Sequence, residues 1–177
     1  MRTRFALKAA TDDMHRELDD RLSRLDLARA EDYRQFLHVQ ARAVPPIEAA
    51  LARSGFDDLV AGWSNARRSA ALESDLAALG DDMPEPAKAP PVGSVAAMLG
   101  TAYVLEGSRL GGSVLKQKVG EGLPRNFLAA DDMLGAWPAV VAAMDHLLYS
   151  EQLIGEAKDA ARRCFALFLN VAVEAGI

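Results

Sequence analysis

The stretch YVLEGSRLGG, residues 103–112, decides how this chain folds. It carries Gly107, Gly111 and Gly112 inside a segment that is otherwise typical of one long helix over residues 94–118. Each glycine in a helix interior costs roughly 1 kcal/mol relative to alanine, so three cost about 3 kcal/mol. Because their spacing places all three on one side, the pattern predicts a bare helix face that lets a flat ligand, or another backbone, come close.

The composition predicts an all-α protein. Half of the 177 residues are apolar, a quarter are charged and only 6% are aromatic. Alanine and leucine dominate, and β-branched residues are sparse, which favours helices over strands. The length suffices for one multi-helix domain over residues 1–177 with a substantial core.

Charge and cysteine content exclude several classes of partner. The formal net charge of −5 argues against nucleic acid, which binds basic faces. No apolar run reaches the length of a membrane span, and the first fifteen residues lack a signal-peptide core. The single cysteine, Cys164, allows no internal disulfide. We therefore expect a cytoplasmic protein without membrane or nucleic-acid partners.

Apolar periodicity and helix-breaking residues predict the remaining helices. A proline-rich linker over residues 81–93 is too short to separate two domains, so it is predicted to cross over within one. The predicted helices are an amphipathic first helix with Leu7, Thr11, Met14, Leu18, Leu22 and Leu25 inward, one from about Glu31 that Pro45 and Pro46 kink or split, one over 65–79 ended by Gly80, one from about Trp137, and one over 150–174.

His15 is the first candidate for chemistry. It shares a face of the first helix with Leu7 and Thr11, so its imidazole either bonds to a neighbour or binds something else. Lys8 lies two turns earlier on nearly the same face, at an axial separation of about 10 Å. This pair could hold the centre and the acidic edge of a large planar ligand. The alternatives are a satisfied, half-buried histidine and a solvated lysine.

Other candidates also have ordinary explanations. Of the remaining histidines, His38 is predicted at the surface or its boundary and His146 in the core. The three glycines could serve a tight helix crossing or a hinge instead of a ligand. Glu106 and Arg109 could be a solvated ion pair, and a lysine near the helix end could simply complement the helix dipole.

Three segments together resemble the haem oxygenase family, most closely its bacterial branch associated with bacteriophytochromes. The segment LKAATDDMH, residues 7–15, is similar to the family's N-terminal helix with its lysine, threonine and haem-ligating histidine. The segment EGSRLGGSVLK, residues 106–116, is similar to the distal helix whose glycines lie over the opposite haem face. A looser match is FALFLN, residues 165–170, which resembles the last core helix.

The resemblance implies a haem oxygenase-like bundle with haem held between the first helix and a glycine-kinked distal helix. It implies opening of haem by O₂ and electrons to biliverdin, CO and ferrous iron, with a reductase or ferredoxin as electron donor. Supplying a bilin to a bacteriophytochrome and acquiring iron are the two purposes it suggests. The implied site residues are His15 as iron ligand, Lys8, Thr11, Tyr103, Arg109 and Lys116 around haem, and Gly107, Ser108, Gly111 and Gly112 over its reacting face.

The chain departs from the family pattern at Ser108. Many members carry an aspartate there, which holds the water that delivers protons, whereas a serine hydroxyl anchors water without the charge. Tyr103 also lies one position from the family's tyrosine. A protein that binds haem or another planar ligand without turnover is therefore the alternative function. A phosphotransfer domain with His15 as acceptor is disfavoured, because the acidic sequence RELDD follows the histidine.

Overall fold

The computed structural model describes residues 2–129 and 136–177, and all regular structure within them is helical, which confirms the predicted fold class. No helix in these ranges is both long enough and apolar enough to cross a membrane. The helices are α1 (Arg2–Leu22), α2 (Ala30–Arg53), α3 (Phe56–Leu59), α4 (Ser69–Ala78), α5 (Val95–Lys116), α6 (Asn126–Ala129), α7 (Ala136–Leu147) and α8 (Glu151–Glu174), with a 3-10 turn at Trp63–Ala66 between α3 and α4.

Helix α8 is the platform on which the rest of the bundle is organised. Both α1 and α5 pack extensively along it, while α1 and α5 make few contacts with each other. The inward face of α8 carries Ala157, Ala161, Phe165 and Phe168, all buried as the periodicity predicted. Two helices that pack on the same support and make few contacts with each other leave a cleft between them, and this cleft is where the functional candidates lie.

The helices α5 and α8 begin where serine side chains cap them. Ser94 Oγ accepts a hydrogen bond from the Ala97 amide at 3.1 Å, and Ser150 Oγ accepts one from the Leu153 amide at 3.2 Å. Serine at this position satisfies an amide that has no partner within the helix. The predicted boundaries of 94–118 and 150–174 therefore lie close to the observed ones.

Two predicted helices differ in their continuity from the observed ones. Helix α2 is not split, since it runs from Ala30 to Arg53 with Pro45 and Pro46 inside it, and the alternative of a kink at these prolines stays a prediction. Fully buried residues on either side, including Val44 and Ile47, hold it against the core, so packing offsets the amide hydrogen bonds that the prolines remove. The predicted helix over 65–79 is divided into the 3-10 turn and α4, although it ends at Gly80 as expected.

The close crossing of α5 and α8 depends on a glycine that the sequence did not single out, Gly100. A Cβ atom added there would overlap the Ala157 carbonyl of α8. We expect Gly100→Ala to lower the free energy of unfolding by roughly 1–3 kcal/mol, because overpacking against backbone has no flexible neighbour to relieve it. The matched control is Gly155→Ala in α8, where nothing lies within 4 Å of the added atom. It should raise the free energy of unfolding by roughly 0.5–1 kcal/mol. Urea unfolding checks both, and equal effects would contradict the crossing.

Candidate functional site

A cavity of about 620 Å³ lies between α1 and α5, with α8 beneath it. Its volume falls within the roughly 300–1,000 Å³ that is typical of small-molecule and cofactor sites. Nine of the ten residues proposed from the sequence line it: Lys8, Thr11, His15, Tyr103, Gly107, Ser108, Arg109, Gly111 and Gly112. Arg4, Phe5, Arg68, Phe127 and Trp137 are lining residues that the sequence did not single out.

His15 projects from α1 at the edge of this cavity. Its imidazole side chain is 59% exposed, and its Nδ1 lies 2.9 Å from Asp19 Oδ2 one turn later. The Phe165 ring of α8 lies edge-on to it, with the ring centroids 5.7 Å apart. Because Nδ1 is engaged by a carboxylate, Nε2 is the nitrogen left for a metal, and histidine ligands usually have their other ring nitrogen held in this way. The imidazole is exposed and not half-buried, and Asp19 is the neighbour to which it bonds.

The other two histidines lie outside the cavity. His38 Nε2 lies 2.9 Å from Asp81 Oδ2 in a boundary ion pair, as expected. The prediction for His146 was wrong, since it is exposed in the last turn of α7. Met144 and Leu148 occupy the buried positions there, so the apolar neighbours pack inward and the histidine points away from the core. The described residues contain no group of three or more histidine, cysteine, aspartate or glutamate side chains that could hold a metal.

The glycines of α5 form the wall across from α1. A Cβ at Gly107 would meet the Trp137 ring at 3.4 Å, which is ordinary van der Waals contact. A Cβ at Gly111 would meet nothing within 4 Å, although this residue lines the cavity. Neither glycine is therefore needed for a helix crossing. Because Gly107 and Gly111 have no side chains, they leave space free within the cavity.

The hydroxyl of Ser108 is engaged by protein groups. It donates to the Leu105 carbonyl at 2.7 Å and accepts from Arg68 Nη2 at 3.0 Å. Arg68 is only 5% exposed, also donates to the Leu105 carbonyl, and places its guanidinium 4.9 Å from the centre of the Phe127 ring. Next to Gly107, the hydroxyl of Ser108 is thus held in place by the guanidinium of Arg68. No sequence signal distinguishes Arg68 from its neighbour Arg67, because only the tertiary fold brings it under α5.

The alternative explanation of Glu106 and Arg109 as a solvated pair is wrong, because both are buried. Glu106 is fully buried and Arg109 is 7% exposed, and the two side chains form an ion pair. Glu106 also accepts from the Trp63 indole at 2.9 Å, and Arg109 donates to the Ala66 carbonyl. The pair ties α5 to the 3-10 turn. Arg109 lines the cavity, but Glu106 already compensates its charge, so its suggested role beside an acidic ligand stays a prediction.

Polar groups cluster where α1 approaches α5. Lys8 is exposed at the cavity, and Thr11 is buried with its hydroxyl donating to the Leu7 carbonyl at 2.9 Å. Tyr103 lies against Trp137 with ring centroids 5.7 Å apart. Burial raises the pKa of the Tyr103 phenol, so it is a neutral hydrogen-bonding group at neutral pH. Lys116, the second lysine proposed from the sequence, does not line the cavity.

Fold and cavity together define an all-helical protein with a ligand site between a histidine-bearing helix and a glycine-bearing one. No protein-family profile matches the chain. It is 32% identical to a haem oxygenase of Xanthomonas campestris pv. campestris (strain 8004) over 145 residues, which cover 78% of this chain and 87% of that protein. The chain therefore belongs to the haem oxygenase family, whose enzymes degrade haem to biliverdin.

A solved structure shows the same fold. The NO- and CO-bound haem oxygenase from Neisseria meningitidis superposes with a TM-score of 0.83, covering 98% of this chain and 91% of that one. At 22% sequence identity, this likeness supports the arrangement of the helices and not the role of any single residue.

Proposed function

We propose that this chain opens haem to biliverdin, CO and ferrous iron, using O₂ and electrons, with His15 as the proximal iron ligand. The observation that carries the proposal is that His15 and the α5 glycines line opposite sides of one cavity. One side of the cavity presents His15 with its Nδ1 held by Asp19, and the other presents the bare backbone at Gly111. Haem, when bound, supplies an iron that activates O₂ and the porphyrin that is oxidised.

The residues present suit haem in three respects. The cavity volume is that of a cofactor site, and His15, the one histidine among its described lining residues, offers a ring nitrogen of the kind haem iron takes. Apolar side chains, including Phe165 and Phe168 of α8, line it and can pack on a porphyrin. Lys8 at the edge supplies a cation for a propionate.

Each wall has a distinct task in this proposal. Asp19 orients His15 by engaging Nδ1, which leaves Nε2 to face the iron. The α5 glycines bring backbone near the reacting face and leave no side chain to fill it. Arg68 holds Ser108 so that its hydroxyl proton points to the Leu105 carbonyl. In this arrangement Ser108 can accept a hydrogen bond from water but does not donate one, unlike a water-holding carboxylate that brings negative charge.

The direct test is reconstitution with one equivalent of haem, followed by ascorbate or a reductase in air. We expect a histidine-ligated absorption spectrum that decays as biliverdin absorbance rises. Haem that binds through histidine but is never opened under strong reductant would overturn the activity. That outcome would support the alternative of a haem-binding protein without turnover, which the engaged hydroxyl of Ser108 keeps in consideration.

The physiological partners belong to the same proposal. Opening haem consumes electrons, so an external donor, a reductase or ferredoxin, is required. A bacteriophytochrome as acceptor of the bilin, and a cytoplasmic location, rest on the sequence alone and stay predictions.

Gly111 offers a way to separate the site from the fold. Because a Cβ there meets nothing within 4 Å, Gly111→Ala should raise the free energy of unfolding by roughly 0.5–1 kcal/mol. Gly111→Leu should fold equally well but weaken haem binding at least about tenfold, since its side chain overpacks the ligand at a cost of roughly 1–3 kcal/mol. Haem titration and urea unfolding of both variants check this. Unchanged haem affinity in the leucine variant would place Gly111 away from the ligand.

A further inference from the structure

Arg4 is a cation at the cavity that the sequence did not single out. It lies on α1 four residues, or about one turn, before Lys8, so both project from the same side of the helix. Both line the cavity, and their positions along the axis differ by about 6 Å. Arg4 is partly buried, with its guanidinium carbon 5.0 Å from the centre of the Phe5 ring.

The charges of these two residues are uncompensated within the part of the chain that the structure describes. Neither forms an ion pair there, in contrast to Arg109, which is bound to Glu106. The acid one turn beyond Lys8, Asp12, is taken by Arg16, whose Nη2 lies 2.8 Å from the Asp12 carboxylate. Two cations without counter-ions on one cavity wall make a site for an anionic group.

The position of Arg4 is further defined by Tyr103 on α5. The positive charge of Arg4 lowers the pKa of the Tyr103 phenol, against the larger effect of burial, so the guanidinium lies near this side chain. Arg4 therefore sits at the gap between α1 and α5, at the same end of the cavity as a neutral hydrogen-bond donor. The first turn of α1 adds the positive end of the helix dipole at this end.

We infer that Arg4 is a second carboxylate-binding residue beside Lys8, and that the two cations receive the two propionates of haem from one helix. This inference deepens the proposed function and rests on it. It explains why Arg109 and Lys116 are not needed at the acidic edge. In this arrangement α1 supplies both the residue that binds iron and the cations that orient haem, because His15, Lys8 and Arg4 follow one another along a single face.

The test compares protohaem with its dimethyl ester, which has the same ring without the carboxylate charges. Arg4→Gln should weaken protohaem binding roughly five- to tenfold, the effect of one partly exposed charge-assisted hydrogen bond, and change ester binding less than about twofold. Arg24→Gln removes the same charge from an exposed residue just beyond α1 and should change neither affinity. Combining Arg4→Gln with Lys8→Gln should abolish the preference for the acid over the ester.

Two results would overturn the assignment of Arg4. One is protohaem affinity in Arg4→Gln equal to that of the unaltered protein. The other is an equal loss for acid and ester, which would mean that Arg4 acts by packing against Phe5 and not by charge. A failure of the proposed function is distinguishable, because the unaltered protein would then either bind neither form of haem or bind protohaem without opening it, whatever residue stands at position 4.

Discussion

Replacing His15 with alanine is expected to abolish the histidine-ligated haem spectrum and to lower turnover more than about 100-fold. Mutating a residue that only hydrogen-bonds to a metal ligand typically lowers metal affinity or activity 10–100-fold, so loss of the ligand itself should cost more. His15 is the only histidine lining the cavity among the described residues. Absorption and electron paramagnetic resonance spectra of the ferric complex measure the loss. Because the imidazole is an exposed side chain on α1, its removal should leave the fold intact.

The controls for His15 use the same chemistry at other positions. His38→Ala removes a histidine that is paired with Asp81 outside the cavity and should leave the spectrum unchanged. Imidazole added to the His15→Ala complex should restore histidine-like ligation, since the substitution leaves room for a free ligand. A His15→Ala protein that keeps its histidine-ligated spectrum without added imidazole would refute the assignment.

The second large effect concerns stability, at the buried pair beneath the glycine wall. Arg109→Met leaves the Glu106 carboxylate buried without its cation, and we expect the free energy of unfolding to fall by about 3–5 kcal/mol. That is a large share of the roughly 5–15 kcal/mol that stabilises a typical domain. Urea unfolding measures the loss, and circular dichroism shows whether the variant remains folded at all.

The double variant Glu106→Gln with Arg109→Met separates the charge from the packing. Glutamine keeps an acceptor for the Trp63 indole, and the buried pair becomes neutral. We expect most of the stability to return, because replacing both members of a buried pair is far less costly than removing one. If Arg109→Met and the double variant were equally destabilised, the loss would come from side-chain packing and not from an uncompensated charge.

The helices and the first half of the site were predictable because their signals are local. Serine caps define the starts of α5 and α8, and apolar periodicity defines the buried face of α8. Lys8, Thr11 and His15 share a face of α1 by spacing alone, and all three line the cavity. A helix carries such information in its own repeat, so no knowledge of its neighbours is required.

The errors occurred where a residue's environment comes from distant parts of the chain. Glu106 and Arg109 look like ordinary surface charges three residues apart until the turn at Trp63–Ala66 covers them. Pro45 and Pro46 look like a helix break until the core holds α2 together. In each case, burial against another element changed the balance of free energies that local propensity had set.

By itself, the sequence determined that this chain is helical, that three glycines share one face of α5, and that a lysine and a histidine share one face of α1. The tertiary structure alone decided what those faces meet. It placed Gly100, and not Gly107 or Gly111, at the crossing with α8, and it left the wall at Gly111 open to the cavity. It also brought Arg68 beneath Ser108. Spacing along a helix is a property of one segment, whereas burial and charge compensation depend on which segments pack together.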